Sequence, residues 1–371
     1  ASLARVPVLL IGGCTPRPQA NMGPLQDIPH VDILRPVTRY ARTARVAGQS
    51  LRELDEAIAR AHGDLGEPGP VYIEYPTDVL RENVAPAMVL DDWMRPVAQR
   101  KLRADPEAIE AAAEAIRLAR RPLVISGRGA RLAGTDLVRF LDMSNALYLD
   151  TQESSGLVPA DHPSFVGAVR AAAMSEADLV ITLGRKLDYQ LAYGSPAVFA
   201  DARFLRIADT PGELIDNRRG TPEILTDVGS ALAELSAALG NDPGDRDDDW
   251  LGSLRSKHAQ RIAKGKDGAG PATGSDGLIH PGAIFNAIRQ VADRDFIGVA
   301  DGGDLLSFAR VGLTARTYMD AGAFGCLGVG VPFAIAAALA HPDRQVISVN
   351  GDGAYGINAM EIDTAVRHGA R

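Results

Sequence analysis

The segment Val346-Ile347-Ser348-Val349-Asn350-Gly351-Asp352-Gly353-Ala354 joins a β-branched strand signal to a glycine turn, then to a helix signal carrying Ile357, Met360, Glu361 and Ala365. Glycines at such a turn let backbone N–H groups approach a phosphate, and the start of a helix favours negative charge. A carboxylate between the glycines would repel a bare phosphate, but it suits an oxygen ligand for a magnesium ion that bridges to a diphosphate. Asp352 is thus a candidate metal ligand, while the same residues also fit a plain β-turn with a capping Asp.

A second chemical signal lies upstream, in Asp320-Ala321-Gly322-Ala323-Phe324-Gly325-Cys326-Leu327-Gly328-Val329-Gly330-Val331-Pro332, followed by a helix over Phe333–Ala340. A glycine-rich apolar loop lets backbone carbonyls and one bulky side chain, Leu327, press against a flat organic ring. The alternative is that these glycines only allow a helix to pack closely on a sheet. Neither this loop nor Gly127-Arg128-Gly129 has the G-x-G-x-x-G spacing of a dinucleotide turn. No histidine has metal-ligand spacing; His280 before Pro281 and His162 before Pro163 suit turns or helix starts. Glu153, Ser154 and Ser155 form a polar cluster after a strand end, where open parallel sheets bind ligands.

Positioning these loops requires α/β architecture, and short β-branched or Leu-rich runs alternate along the chain with Ala-rich amphipathic helices. The expectation is three doubly wound parallel-sheet domains over residues 1–90, 103–240 and 278–371. Val8–Ile11 and Val71–Tyr75 read as buried strands flanking a helix over 50–62, and a crossover is expected at 88–105. In the second block a helix over Pro106–Leu118 precedes strands at Leu123–Ser126, Leu147–Asp150, Leu179–Leu183 and Phe204–Ile207, and a helix over Val228–Leu239 closes it. The polar stretch 240–277 reads as an interdomain linker with one amphipathic helix near Trp250–Ile262. The third block has a helix ending at Val291 and strands at Phe296–Ala300 and, buried, at Val346–Val349.

With 371 residues, 46% of them hydrophobic, more than one core is available. A formal net charge of -8 leaves no basic excess to attract nucleic acid or an anionic membrane. Two cysteines, Cys14 and Cys326, are too few for a disulfide framework, and the expected compartment is the cytoplasm. No apolar run reaches the roughly 20 residues of a membrane-spanning helix. A strand signal at the very start and a helix signal stopping at Arg371 lead to the expectation that more chain precedes and follows this sequence.

Taken in order, the glycine-rich loop, a helix, a strand and Gly-Asp-Gly with Asn358 and Glu361 after it resemble the thiamine-diphosphate-dependent enzymes of the acetohydroxyacid synthase and 2-hydroxyacyl-CoA lyase superfamily. The resemblance extends along the chain. Gly69-Pro70-Val71 through Pro76-Thr77-Asp78-Val79 is similar to the strand ending the family's pyrimidine-binding domain, and Arg121-Pro122-Leu123-Val124 to the start of its central domain.

What the resemblance implies is a set of roles. Asp352 would hold magnesium; the Gly353 and Ala354 amides, with Gly351, would meet the diphosphate; Asp301, Gly303 and Asp304 would flank it. Leu327 would wedge the cofactor into its bent shape, and the Gly325 carbonyl would receive the aminopyrimidine. Gln26, in Pro24-Leu25-Gln26-Asp27, stands where the family has Phe-Gln-Glu near the reacting carbon, with Leu25 departing from the usual Phe; a surface-capping role is the alternative. The family's catalytic glutamate falls before residue 1 and its second magnesium ligand beyond Arg371.

The implied function is cleavage of a 2-hydroxyacyl-CoA to an aldehyde or ketone and formyl-CoA, with acetolactate synthase-type chemistry or a non-catalytic family member as the alternatives. Arg185 and Lys186 lie at a strand end where relatives hold the nucleotide end of CoA, ADP or FAD; a solvated edge is the other possibility. A homodimer or homotetramer acting on a small molecule, with no nucleic acid or membrane partner, completes the expectation.

Overall fold

The computed structural model describes residues 1–85, 101–266 and 273–371. The chain forms two compact units, one up to Arg100 and one from Lys101 onward. It is an α/β protein, and among the described residues it has three sheets, every ladder of which is parallel.

The first unit contains β1 (Val8–Cys14), α1 (His30–Leu34), β2 (Tyr40–Thr43), α2 (Ser50–His62), β3 (Pro70–Pro76) and α3 (Thr77–Leu80), with strand order β1-β3-β2. Pro76 ends β3 as expected, and β3 is buried along its whole length. Among the described residues β1 pairs with β3 alone, and Leu10 is 41% and Ile11 62% exposed. The Gln26 loop follows β1, and Gln26 itself is exposed with φ 59.

The second unit opens with α4 (Pro106–Leu118), in which Asp105 caps the helix by accepting from the Glu107 amide at 3.0 Å and Pro106 occupies the first turn. There follow β4 (Pro122–Ser126), α5 (Gly134–Ser144), β5 (Leu147–Leu149), α6 (Arg170–Glu176), β6 (Leu179–Leu183), β7 (Arg203–Ala208), α7 (Pro211–Leu214), β8 (Glu223–Leu225) and α8 (Val228–Leu239). The strands lie in the order β5-β4-β6-β7-β8. Apolar side chains fill both faces of this sheet. Ile109, Ile116, Phe140 and Leu235 pack on one side, and Val169, Leu191, Phe199 and Trp250 on the other. Two-sided burial explains why these strands read as continuous apolar runs.

Trp250 belongs to α9 (Asp248–Lys266), a 19-residue helix. Its first turns bury Trp250, Leu251 and Leu254, so the stretch expected to be a linker contributes to the core of the central sheet. The crossover expected at 88–105 lies mostly outside the described residues.

The third sheet is built from α10 (Pro281–Val291), β9 (Ile297–Asp301), α11 (Asp304–Gly312), β10 (Thr317–Met319), α12 (Gly330–Ala340), β11 (Val346–Asn350), α13 (Asp352–Asn358) and α14 (Ile362–His368), with strand order β10-β9-β11. His280 caps α10, its Nδ1 accepting from the Gly282 amide at 3.1 Å, the helix-start role expected of it. The strand at 346 is half-buried and pairs with β9 among the described residues.

Candidate functional site

Strand β9 delivers Asp301-Gly302-Gly303 to the carboxyl end of the third sheet, and β11 delivers Asn350-Gly351-Asp352 beside it. The two turns touch: the Gly351 amide donates to the Asp301 carbonyl at 2.8 Å. Asp304 and Asp352 each begin the following helix and are exposed, as are Gly303 and Gly353. At the start of α13 the amides of Asp352, Gly353 and Ala354 have no acceptor within the helix. They are the backbone donors this turn offers, together with the Asp352 carboxylate. The Gly351 amide is taken by the Asp301 carbonyl.

The glycine-rich stretch is fixed from beneath. Asp301 is fully buried, and one carboxylate oxygen, Oδ2, accepts the amides of both Gly328 and Gly330 at 2.8 Å. Gly328 also takes a hydrogen bond from the Asn358 side chain, Nδ2 to the carbonyl at 2.6 Å. Glycine is required at both ends of this clamp. Gly328 has φ +93, and a Cβ there would lie 2.6 Å from Ile357. A Cβ on Gly330 would lie 1.9 Å from Oδ1 of Asn350. Asp301 is therefore a strut for the loop, and its carboxylate, expected to flank the diphosphate, is spent on the Gly328 and Gly330 amides.

Between these fixed points Gly325 adopts φ +66 and Leu327 stands 42% exposed, with Phe324 at 76%. A bulky apolar side chain is thus held at the surface by a loop whose far end is locked. Asn358 explains a further departure from expectation. Its φ of -127 leaves helical geometry, so the helix after Gly-Asp-Gly breaks into α13, a short 3-10 turn over Ala359–Glu361, and α14.

The structure thus gathers Asp301, Gly303, Asp304, Gly325, Leu327, Gly351, Asp352, Gly353 and Ala354 on the loops at one end of the third sheet. Gln26 belongs to the other unit. Among the described residues no group of three or more His, Cys, Asp or Glu side chains is placed to hold a metal. Asp352 would therefore contribute a single ligand.

In the central sheet, the turns after β4 and β6 meet where the strand order reverses, with the Gly129 amide donating to the Gly184 carbonyl at 3.1 Å. Arg185 is not the solvated edge that was one of its two expected roles. It is only 5% exposed, and its guanidinium is held by Asp188 at 2.8 and 3.0 Å and by Gln190 at 2.8 Å. Ser154 is buried, its hydroxyl bonded to Ser126, while Glu153 pairs with Arg131. His162 sits in a turn, bonded to Asp142 and to the Ser164 amide at 3.1 Å each.

Two residue groups escaped the sequence reading. Asn358 stands in the family-like pattern, but its tie to Gly328, 30 residues away, has no local signal. The contacts of Gln152 and Gln190 had none, because their partners lie 38 and 168 residues away.

Family comparison places this geometry among known proteins. The description "Thiamine pyrophosphate enzyme, central domain" matches residues 109–235. The description "Thiamine pyrophosphate enzyme, C-terminal TPP binding domain" matches residues 303–371. The chain is 31% identical to 2-hydroxyacyl-CoA lyase 1 of Mus musculus over 376 residues, covering 98% of this chain and 63% of that protein. It is 32% identical to the acetolactate synthase large subunit of Mycobacterium tuberculosis over 373 residues, covering 98% and 65%. Human 2-hydroxyacyl-CoA lyase 1 is 30% identical, with 98% and 64% covered. The chain thus spans less than two thirds of the length of these relatives.

Proposed function

The chain belongs to the thiamine pyrophosphate enzymes, and from that premise we propose that the full-length protein is a thiamine-diphosphate-dependent carbon–carbon lyase cleaving a 2-hydroxyacyl-CoA to an aldehyde or ketone and formyl-CoA. The observation carrying the cofactor assignment is the pair of abutting turns after β9 and β11, with the Leu327 loop pinned next to them. The donor set fits the group. Unpaired amides of Asp352, Gly353 and Ala354 suit a diphosphate, and the exposed Asp352 carboxylate suits a magnesium ion that completes its shell with phosphate oxygens and water.

When bound, thiamine diphosphate supplies an electron sink for the carbanion left by carbon–carbon cleavage. The chain's own residues supply position. With the cofactor in place, Leu327 would press on its ring system from the locked loop, the Gly325 carbonyl would receive the amino group, and Gly303 and Asp304 would border the diphosphate. Gln26 is assigned to the substrate side. The lyase activity is favoured by similarity to proteins named 2-hydroxyacyl-CoA lyase from mouse and human, and the acetolactate synthase relative supports the runner-up. A homodimer or homotetramer in the cytoplasm is part of the same proposal. Among the described residues no helix is long and apolar enough to cross a membrane.

The deciding assay offers full-length protein, loaded with thiamine diphosphate and magnesium, a 2-hydroxyacyl-CoA and, separately, pyruvate. Formyl-CoA is the expected product. Acetolactate without thioester cleavage would transfer the assignment to the runner-up, and silence on both would indicate a non-catalytic member.

Cys326, exposed between Gly325 and Leu327, gives a readout independent of activity. With ligand at about ten times its Kd only about a tenth of the molecules stay free, so the cofactor should slow iodoacetamide labelling of Cys326 about tenfold. Cys14, whose thiol is pushed up to about 11 by burial and by Glu74, serves as a slow internal reference in peptide mass spectrometry. Equal labelling of Cys326 with and without cofactor would separate this loop from the site.

A further inference from the structure

A hydrogen-bonded row of side chains crosses from the central sheet to the start of the Leu327 loop. It begins at the buried Arg185, whose Nη2 donates to Oδ1 of Asp188 and to Oε1 of Gln190, both at 2.8 Å. Nε2 of Gln190 donates to Oε1 of Gln152 at 2.5 Å. Nε2 of Gln152 in turn donates to both carboxylate oxygens of Asp320, at 3.1 and 3.2 Å. The Asp320 side chain, 2% exposed, also accepts the Gly322 amide at 2.8 Å and Nε of Arg310 at 2.9 Å. Beside the row, the Tyr189 hydroxyl donates to the Ala323 carbonyl at 3.2 Å.

Chemistry fixes the direction of the row. A guanidinium can only donate and a carboxylate can only accept, so the two amides between them have one orientation that satisfies every bond. Their dipoles then align, and bonds aligned in this way in a partly buried setting strengthen one another. The row ends on Asp320, the first residue of the glycine-rich stretch, while Asp301 holds Gly328 and Gly330 at the other end. The loop therefore stands on two footings, one within its own sheet and one reaching across to the central sheet.

We propose that Gln152 and Gln190 are positioning residues that fix the front of this loop to the central domain and so set where Leu327 meets thiamine diphosphate. The inference rests on the cofactor assignment above. Neither glutamine is a catalytic residue; each acts through Asp320.

The test measures the Kd of thiamine diphosphate, with magnesium, for full-length wild type, Gln152→Ala, Gln190→Ala, the double variant and Gln152→Glu, alongside the melting temperature of each cofactor-free protein. Each Ala variant should bind about tenfold more weakly. The double variant should be no weaker than the weaker single one, since a row cut twice frees the same loop. Gln152→Glu keeps the shape but sets a carboxylate against Asp320, and it should bind more weakly than Gln152→Ala. Cofactor-free melting temperatures of the Ala variants should stay within about 2 °C of wild type. Unchanged affinities, multiplied losses in the double variant, or affinity losses matched by lost cofactor-free stability would each overturn the inference. If the wild type binds no thiamine diphosphate, the cofactor assignment falls and takes the inference with it; binding with unaltered variants sinks the inference alone.

Discussion

Asp352→Ala should abolish the thermal stabilisation that thiamine diphosphate and magnesium together give the full-length protein. A ligand at about 100 times its Kd adds about 2.7 kcal/mol to the folded state, which in a protein of this size raises the melting temperature by about 2–4 °C. The effect should require both components. Asp352 is the only carboxylate on the β11 turn, and the neighbouring amides hold a diphosphate less well without the metal that offsets its charge. The substitution should leave the cofactor-free protein almost unchanged, because the side chain is exposed and makes no hydrogen bond that supports the fold. A cofactor-dependent shift that survives in Asp352→Ala would move the metal site elsewhere.

The second large effect concerns Asp301. Replacing it by Ala removes the single oxygen that serves the Gly328 and Gly330 amides, leaving two buried donors unsatisfied. At about 1–3 kcal/mol for each orphaned group, Asp301→Ala should cost about 2–6 kcal/mol and weaken cofactor binding with it. Asp301→Asn should be much milder. Both amides go to Oδ2, so one amide carbonyl can accept both, while the other oxygen, Oδ1, is buried without a partner. Buried Oδ1 of Asn350, the register neighbour, also lacks one. An amide group at 301 would bring donors to a place where acceptors crowd. Chemical denaturation of wild type, Asp301→Ala and Asp301→Asn checks this ordering; equal loss in both variants would mean that charge, and not the shared acceptor, holds the loop.

Asp301 also shows where sequence reasoning stops. Its position next to Gly302-Gly303 reads as a phosphate loop, but the amides that claim it lie 27 and 29 residues further along. Only the fold brings them together. What the sequence states clearly are elements whose signal is local. α4 has its Asp105 cap, Pro106 and a regular apolar face, and its bounds emerge as read. Strands β4 and β6, buried on both faces, are unbroken apolar runs. Short strands carrying polar residues, such as Tyr40–Thr43 and Glu223–Leu225, lack both period and length and were missed. Burial is harder than strand identity. Leu9-Leu10-Ile11 and Val346–Val349 are apolar enough for a core, but how deeply such a strand is buried depends on everything packed against it, not on its own residues alone.

The candidate site divides the same way. Gly-Asp-Gly and the glycine-rich loop are legible because close backbone approach leaves a mark in residue type. The strut beneath the loop and the amide row beside it are made of ordinary Asp and Gln side chains. Their meaning comes from partners far along the chain.

Calorimetric titration of the full-length wild-type protein with thiamine diphosphate, in magnesium and again in EDTA, tests the central claim most directly. Saturable binding at one site per chain that needs the divalent ion is the predicted result. No heat of binding, or the same affinity with the metal chelated, would contradict an account in which one exposed aspartate and the amides after it grip a pyrophosphate through magnesium.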